Sequence, residues 1–269
     1  MEKIMYHVWK SDAVNDEAFK ETLLGSLAER LSSEGVRSSR VAVQDDHVAN
    51  VTSVQIASTR PKPNAVVSVW VDSANDYFRA GVDAAIAAHT ARMHAYLVSE
   101  SEPMRNTQYP EEVGKRAEGM NQIVFLRKPD WLEYFEWLAI WRNSHSFVGI
   151  GTQSTYAYRQ NLVTRRLTHA APHYHAFIEE QFPEPSCYDD AHYYDEQAEK
   201  AEIWDKLVDL HYPEAIAIRK HMAGKPRWEI NFKIMQESVK RFIDIGQSPN
   251  FPIGIDCTAY SDYILSRPQ

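Results

Sequence analysis

NAVVSVWVD, residues 64–72, is the strongest strand signal in the chain. It is apolar and rich in β-branched residues, and the turn-forming run Arg60-Pro61-Lys62-Pro63 precedes it. Upstream, a polar loop over 45–63 separates it from Val36–Gln44, which alternates in strand fashion. Before that, residues 16–34 place Phe19, Leu23, Leu24, Leu27 and Leu31 on one helical face, with Gly35 as the stop. Lys3–Trp9 reads as the opening strand. Downstream, Asn75 can cap a helix to about Arg92 with Phe78, Val82, Ala85, Ile86 and His89 inward, and Met93–Ser99 closes as a strand. The order β-α-β-β-α-β is that of a ferredoxin-like unit over residues 1–100.

Residues 101–118 are polar, poor in large apolar groups, and read as a linker. The same order then begins again in 119–269. Asn121–Arg127 is a strand, and Asp130 with Glu133 suggests a capping box for a helix through about Ser144. Thr155–Val163 and Tyr174–Phe182 read as strands. Residues 229–246 form a helix with Phe232, Met235, Val239, Phe242 and Ile243 inward, and Ile253–Tyr260 is the last strand. An insertion, 184–228, is acidic and aromatic, with helix expected over 195–222. The fold class expected is α+β, with two tandem ferredoxin-like units packing sheet against sheet within the chain or with a second chain. The competing architecture is an unrelated α+β sandwich.

The chain has 269 residues and a net charge of −8, which argues against a nucleic-acid partner because phosphate binding needs surplus Lys and Arg. No apolar run approaches a membrane span, and no secretory signal is visible, so no membrane partner and a cytoplasmic location are expected. Cys187 and Cys257 make neither a disulfide framework nor a zinc cluster and read as inert. Phosphate-binding glycine loops, a Gly-x-Ser-x-Gly elbow and a Rossmann fingerprint are all absent, which weakens kinase, hydrolase and dehydrogenase readings.

Seven of the 11 histidines lie after residue 120. Trp131, Tyr134, Leu138, Trp141 and His145 form one stripe, so the histidine faces the same side as two tryptophans. His145 suits general acid–base work, or simply a helix C-terminus stabilised by the macrodipole. Trp141 reads as site wall or core. His173 and His175 share a face if they lie on a strand, with Glu179 as a third group, which allows metal binding, proton transfer or a plain polar surface; no metal is assigned. His169 stands nearby. Tyr156 and Tyr158 point one way and Arg159 the other; they suit a phenol or carboxylate, or fill space. His7 and Asp45-Asp46-His47 are further polar groups near possible pocket walls. Tyr188–Asp195 (YDDAHYYD) reads as a lid or as a solvated face.

Arg127-Lys128-Pro129, Trp141-Arg142-Asn143-Ser144-His145, Tyr156–Asn161 and the later Glu237–Asp244, in that order, resemble the EthD family over roughly 120–182 and 229–260. The first half departs from that pattern, with Leu31 and its neighbours where a histidine belongs, which points to one histidine site per chain. The resemblance implies a dimeric α+β barrel, a homodimer, and a ligand between sheet and helices. It also implies chemistry on aromatic compounds without a cofactor. The leading expectation is a lyase, a decarboxylase or dehydratase in aromatic-compound catabolism. His145, His173 or His175 would transfer the proton, and Tyr156, Tyr158, Arg159, Trp141, His169 and Glu179 would hold the small aromatic substrate. The alternatives are a cofactor-free monooxygenase and a non-enzymatic ligand-binding protein.

Overall fold

The computed structural model describes residues 1–51, 56, 61–184, 189–194, 201–246 and 254–267. Eight strands close an antiparallel barrel within one chain: β1 (Glu2–Trp9), β2 (Ser38–Val43), β3 (Ala65–Val71), β4 (Arg92–Met104), β5 (Met120–Leu126), β6 (Ala157–Arg166), β7 (Ala176–Phe182) and β8 (Ile255–Ser266). The order around the barrel is β1-β3-β2-β8-β5-β7-β6-β4, with β4 pairing back to β1. Each half therefore contributes a four-strand sheet, β4-β1-β3-β2 and β8-β5-β7-β6. The seams between them are β2–β8 and β4–β6. Closure leaves every strand with two neighbours and no free edge.

Helices cover the outside. In the first half α1 (Asp16–Thr22) and α2 (Ala28–Ser33), joined by a π turn at Leu23–Leu27, pack with α3 (Asp76–His89) over an apolar face that includes Ile4, Tyr6, Val41 and Val67. The second half has the same device: α4 (Tyr134–Ile140) and α5 (Ser146–Thr152) flank a π turn at Trp141–His145. Four residues advance an α-helix by about 400°, so side chains at four-residue spacing drift by about 40° per step. Phe19, Leu23, Leu27 and Leu31 keep that spacing, as do Trp137, Trp141 and His145, and all are buried. The wider π turn removes part of the drift and keeps each row on the sheet. Its last residue is Leu27 in one half and His145 in the other, so Leu27, not Leu31, fills the histidine's place.

Helices α6 (Asp190–Tyr193), α7 (Ala201–His211) and α8 (Glu214–His221) belong to the insertion, and α9 (Arg227–Val239) follows. Val208, Tyr212 and Ala215 of the insertion pack on Val148, Ile234 and Met235. The approach is close at Gly151, where a Cβ would lie 2.6 Å from Val208 Cγ2, so only glycine fits there.

Several expectations change. The stretch 101–118 is built into the barrel wall: β4 runs to Met104 along β6, and Val113 and Arg116 bridge to Ile264 and Tyr263 of β8. The Asp130–Glu133 box does not form; Glu133 is the N-cap without a side-chain bond, and the helix continues past Ser144 to Thr152. Trp131 precedes that helix and is exposed, so the buried stripe starts at Trp137. Phe78 is exposed, because Arg79 takes its face and is anchored by Ala74 O and Asp83. Phe232 is also on the surface side. The Asn75 cap forms, accepting from Tyr77 N–H at 3.2 Å. Residues 52–55 and 57–60 of the 45–63 loop, Cys187 and Tyr188, 195–200 of the insertion and Ile253 lie outside the described residues.

Side chains alternate across the barrel wall. At one end of the interior the rings of His7, Tyr96, Phe125, Tyr174 and Phe177 pack together. Toward the other end the filling is ionic. Lys3 Nζ lies 2.5 Å from Glu100 and 2.7 Å from Glu179, and Asn161 donates to the same Glu179 oxygen at 2.9 Å. Arg40 Nε lies 2.9 Å from Asp262 across the β2–β8 seam, and its guanidinium also meets Glu111. Burial alone would raise the Glu179 carboxyl; Lys3, Arg159 and Arg40 outweigh it and bring it down to about 2. Lys3→Met would leave that carboxylate buried and short of its nearest cation. Chemical denaturation at neutral pH should show a loss of about 3–5 kcal/mol, much of it restored in Lys3→Met/Glu179→Gln.

Candidate functional site

A cavity of about 390 Å³ lies on the outer face of the second half, between the sheet and α5, α6 and α9. Its walls are mainly apolar, among them Val124, Leu126, Ile178, Met235 and Phe242, with a small polar set: Gln122, Glu180, Tyr158, His145 and Cys257. Strand register produces that set. Gln122 and Tyr158 are the two cross-strand partners of Glu180, so the three stand in a row across β5, β7 and β6.

Glu180 is the chemically distinctive member. Its side chain is 6% exposed, and no described residue hydrogen-bonds or ion-pairs with its carboxyl. Burial raises its pKa to about 8, so at neutral pH it is a carboxylic acid holding a transferable proton. Gly149 lies beside it: a Cβ there would come 3.6 Å from Glu180 Oε1, an ordinary contact.

His145 reaches the cavity from the end of the π turn. Its Nδ1 lies 3.0 Å from Ser238 Oγ, which in turn accepts from Arg241 at 2.9 Å. The Ser238 hydroxyl can donate to Nδ1 or accept from it while also accepting from Arg241, so the contact fixes the ring's orientation and leaves Nε2 facing the cavity side of the ring. Burial, helped by Arg241, lowers the imidazole to about 3, so it is neutral and offers a hydrogen bond rather than a charge. Tyr158 Oη accepts from Trp141 Nε1 at 3.3 Å, and burial pushes its phenol up. Trp141 thus stands behind the wall and orients the tyrosine. The Cys257 thiol is also pushed up by burial, which suits an inert wall residue. The insertion supplies the mouth. Asp190, Tyr193 and Tyr194 line the cavity, and Tyr193 Oη donates to Gln122 at 2.5 Å while its ring stacks on Phe182.

Of the residues singled out in the sequence, His145, Tyr158 and Trp141 come together here. The others do not. Tyr156 donates to Glu118 O and packs on Tyr109, because β6 begins only at Ala157 and the assumed alternation with Tyr158 does not extend back to it. Arg159 is inside the barrel, 3.2 Å from Glu102. Glu179 is inside as well, with Lys3 and Asn161. His169 and His173 are exposed. His173 and His175 do meet, ring centroids 4.5 Å apart, but in the turn before β7 and away from Glu179; His175 Nδ1 accepts from Lys128 N–H. Glu180 was missed. Its signal is parity: on β7 it shares a face with Ile178 and Ala176, the apolar residues that meet the helices. Among the described residues no group of three His, Cys, Asp or Glu side chains could hold a metal ion, and no helix is long and apolar enough to cross a membrane.

No family model and no curated protein matches the chain, so the EthD resemblance stands without a family match. Among solved structures the chain is similar to a candidate monooxygenase from Lactobacillus acidophilus NCFM (7% identity, 99% of this chain and 96% of the other, TM-score 0.41). It is also similar to an anthrone oxidase-like protein (8%, 100% and 94%, TM-score 0.48) and to a candidate chlorite dismutase (9%, 80% and 88%, TM-score 0.37).

A raised carboxyl pKa has a consequence for stability. From the unfolded value near 4.5 up to about 8 the unfolded chain ionises at Glu180 while the folded protein does not, so this group costs stability progressively across that window. Glu180→Gln should therefore be more stable than the parent at pH 8, by roughly 2–4 kcal/mol, and nearly equal to it at pH 4. Denaturation of both proteins at the two pH values checks the sign.

Proposed function

We propose that the protein is an enzyme that transfers a proton to a small aromatic molecule held in the outer cavity, in a lyase reaction. Support comes chiefly from one observation: a carboxyl that burial keeps protonated, Glu180, without a partner among the described residues, in an apolar cavity of a size that takes one or two rings. His145 is too weakly basic to exchange protons near neutrality, whereas a group with a pKa near 8 is matched to that task. For a phenolic acid the step is a decarboxylation. The bond to the carboxylate breaks, its electron pair stays on the ring carbon, that carbon takes the Glu180 proton, and water returns a proton to Glu180. Dehydration uses the same acid on a leaving hydroxyl. His145, Tyr158 and Gln122 supply hydrogen bonds to the ring substituents. Tyr156, Arg159, His169, His173, His175 and Glu179 have no part in this reading.

The two halves are tandem ferredoxin-like units of the dimeric α+β barrel type, supported by their matching strand orders and π turns. A homodimer would have to form through helical faces, since the barrel leaves no strand edge unpaired. A role in breaking down aromatic compounds in the cytoplasm follows from the substrate class.

Purified protein given hydroxybenzoates and hydroxycinnamates in D2O should release carbon dioxide and place deuterium on the ring or vinyl carbon. Glu180→Gln should lower kcat by roughly 10²–10⁴-fold with folding intact, and kcat/KM should fall as pH rises through about 8. Full turnover by Glu180→Gln overturns the assignment. Turnover that stops without oxygen establishes the monooxygenase reading instead, and binding without product a ligand-binding protein.

A further inference from the structure

A second cavity, about 140 Å³, enters the barrel itself at the end filled by rings. It is separated from the outer cavity by the wall strands. On β8, Cys257 faces outward while Asp256 and Thr258 face inward, and Ile56 lies at both cavities. The volume is close to that of an apolar cavity known to take benzene, ~150 Å³.

Its walls have a definite chemistry. Trp9, Phe125 and Tyr174 provide aromatic faces, with His7 4.7 Å from Phe125 and His94 4.9 Å from Trp9, centroid to centroid. His7 and His94 oppose each other on β1 and β4. His7 is 1% exposed, yet among the described residues its Nε2 has no hydrogen-bond partner, and neither does Nδ1 of His94. Buried polar atoms are rarely left so, and each orphan needs an explanation. Burial, with His94 beside it, lowers His7 to about 3, so its ring is neutral and can donate at one nitrogen and accept at the other. At the rim, Arg92 lies 3.7 Å above the Trp9 ring and ion-pairs with no described carboxylate. Asp256, the carboxylate on the wall, already accepts from Tyr174 at 3.1 Å and faces Arg127.

We propose that this inner cavity is a second ligand site, taking a monocyclic aromatic carboxylate with a hydroxyl or ring nitrogen, its polar atom on the His7 imidazole and its carboxylate at Arg92. The ring lies against Trp9, Phe125 and Tyr174, and the depth of His7 against the exposure of Arg92 fixes which end enters first. The site is independent of the chemistry assigned to Glu180.

The probe is 4-hydroxybenzoate, with phenol as the analogue lacking the carboxylate, titrated while the histidine ring resonances are followed by NMR. The rings of His7 and His94 should shift saturably in the wild type and equally in Glu180→Gln. Arg92→Leu, a change at an exposed residue, should weaken 4-hydroxybenzoate about tenfold and leave phenol unchanged. The proposal is overturned if no saturable binding occurs, if the two rings do not move at saturation, or if Arg92→Leu binds the acid as the wild type does. Movement of His145 alone would assign the probe to the outer cavity and overturn it equally.

Discussion

Closing an eight-stranded barrel from one chain is the constraint on which the rest of this structure depends. The two seams join strands from different halves, so nothing local in sequence brings them together. What spans them from inside is charge: Arg40 to Asp262 at one seam, and Lys3 with Glu100, Glu179 and Asn161 at the other. Buried ions are costly unless paired, so a slipped register would leave a bare charge inside the barrel. The apolar rows fix which face of each strand is inside; the ion pairs fix which halves meet and at what register.

That closure also separates two environments. Ions fill the interior toward one end and rings crowd the other, leaving the small cavity beside His7, and the larger of the two cavities forms outside, under the helices of the second half. The insertion widens the difference between the halves: Tyr193 and Tyr194 roof the cavity of the second half, while in the first half Leu27 occupies the position of His145 within a buried apolar cluster. A carboxyl left in this roofed, apolar space keeps its proton, and the acid chemistry proposed for the protein follows from that single act of desolvation.

Much of the element order was legible because hydrophobic periodicity survives in both halves. The π turns were not read: Phe19, Leu23, Leu27 and Leu31 pass for one face of an ordinary helix, and only the structure shows the wider turn that offsets their drift of about 40° per step. Of the residues the sequence singled out, His145 and Tyr158 line the outer cavity, though the sequence left open which face of its strand Tyr158 would take. Glu180 was not legible, because neighbouring carboxylates on a strand face opposite ways. His173 and His175 suggested the parity of Glu179, whereas those histidines sit in a turn and set no parity at all. The stretch 101–118 misled for another reason. Its polar residues look like a solvated linker, yet Glu111 is polar because it serves Arg40 and Gln181 at the barrel's end.

Everything proposed for the outer cavity rests on Glu180 being a neutral acid at physiological pH. Infrared difference spectroscopy of the wild type against Glu180→Gln measures this directly. A protonated-carboxyl band present at pH 7 and lost as the pH passes about 8 is the predicted result. A carboxylate band already present at pH 6, with no protonated carboxyl, would contradict the account.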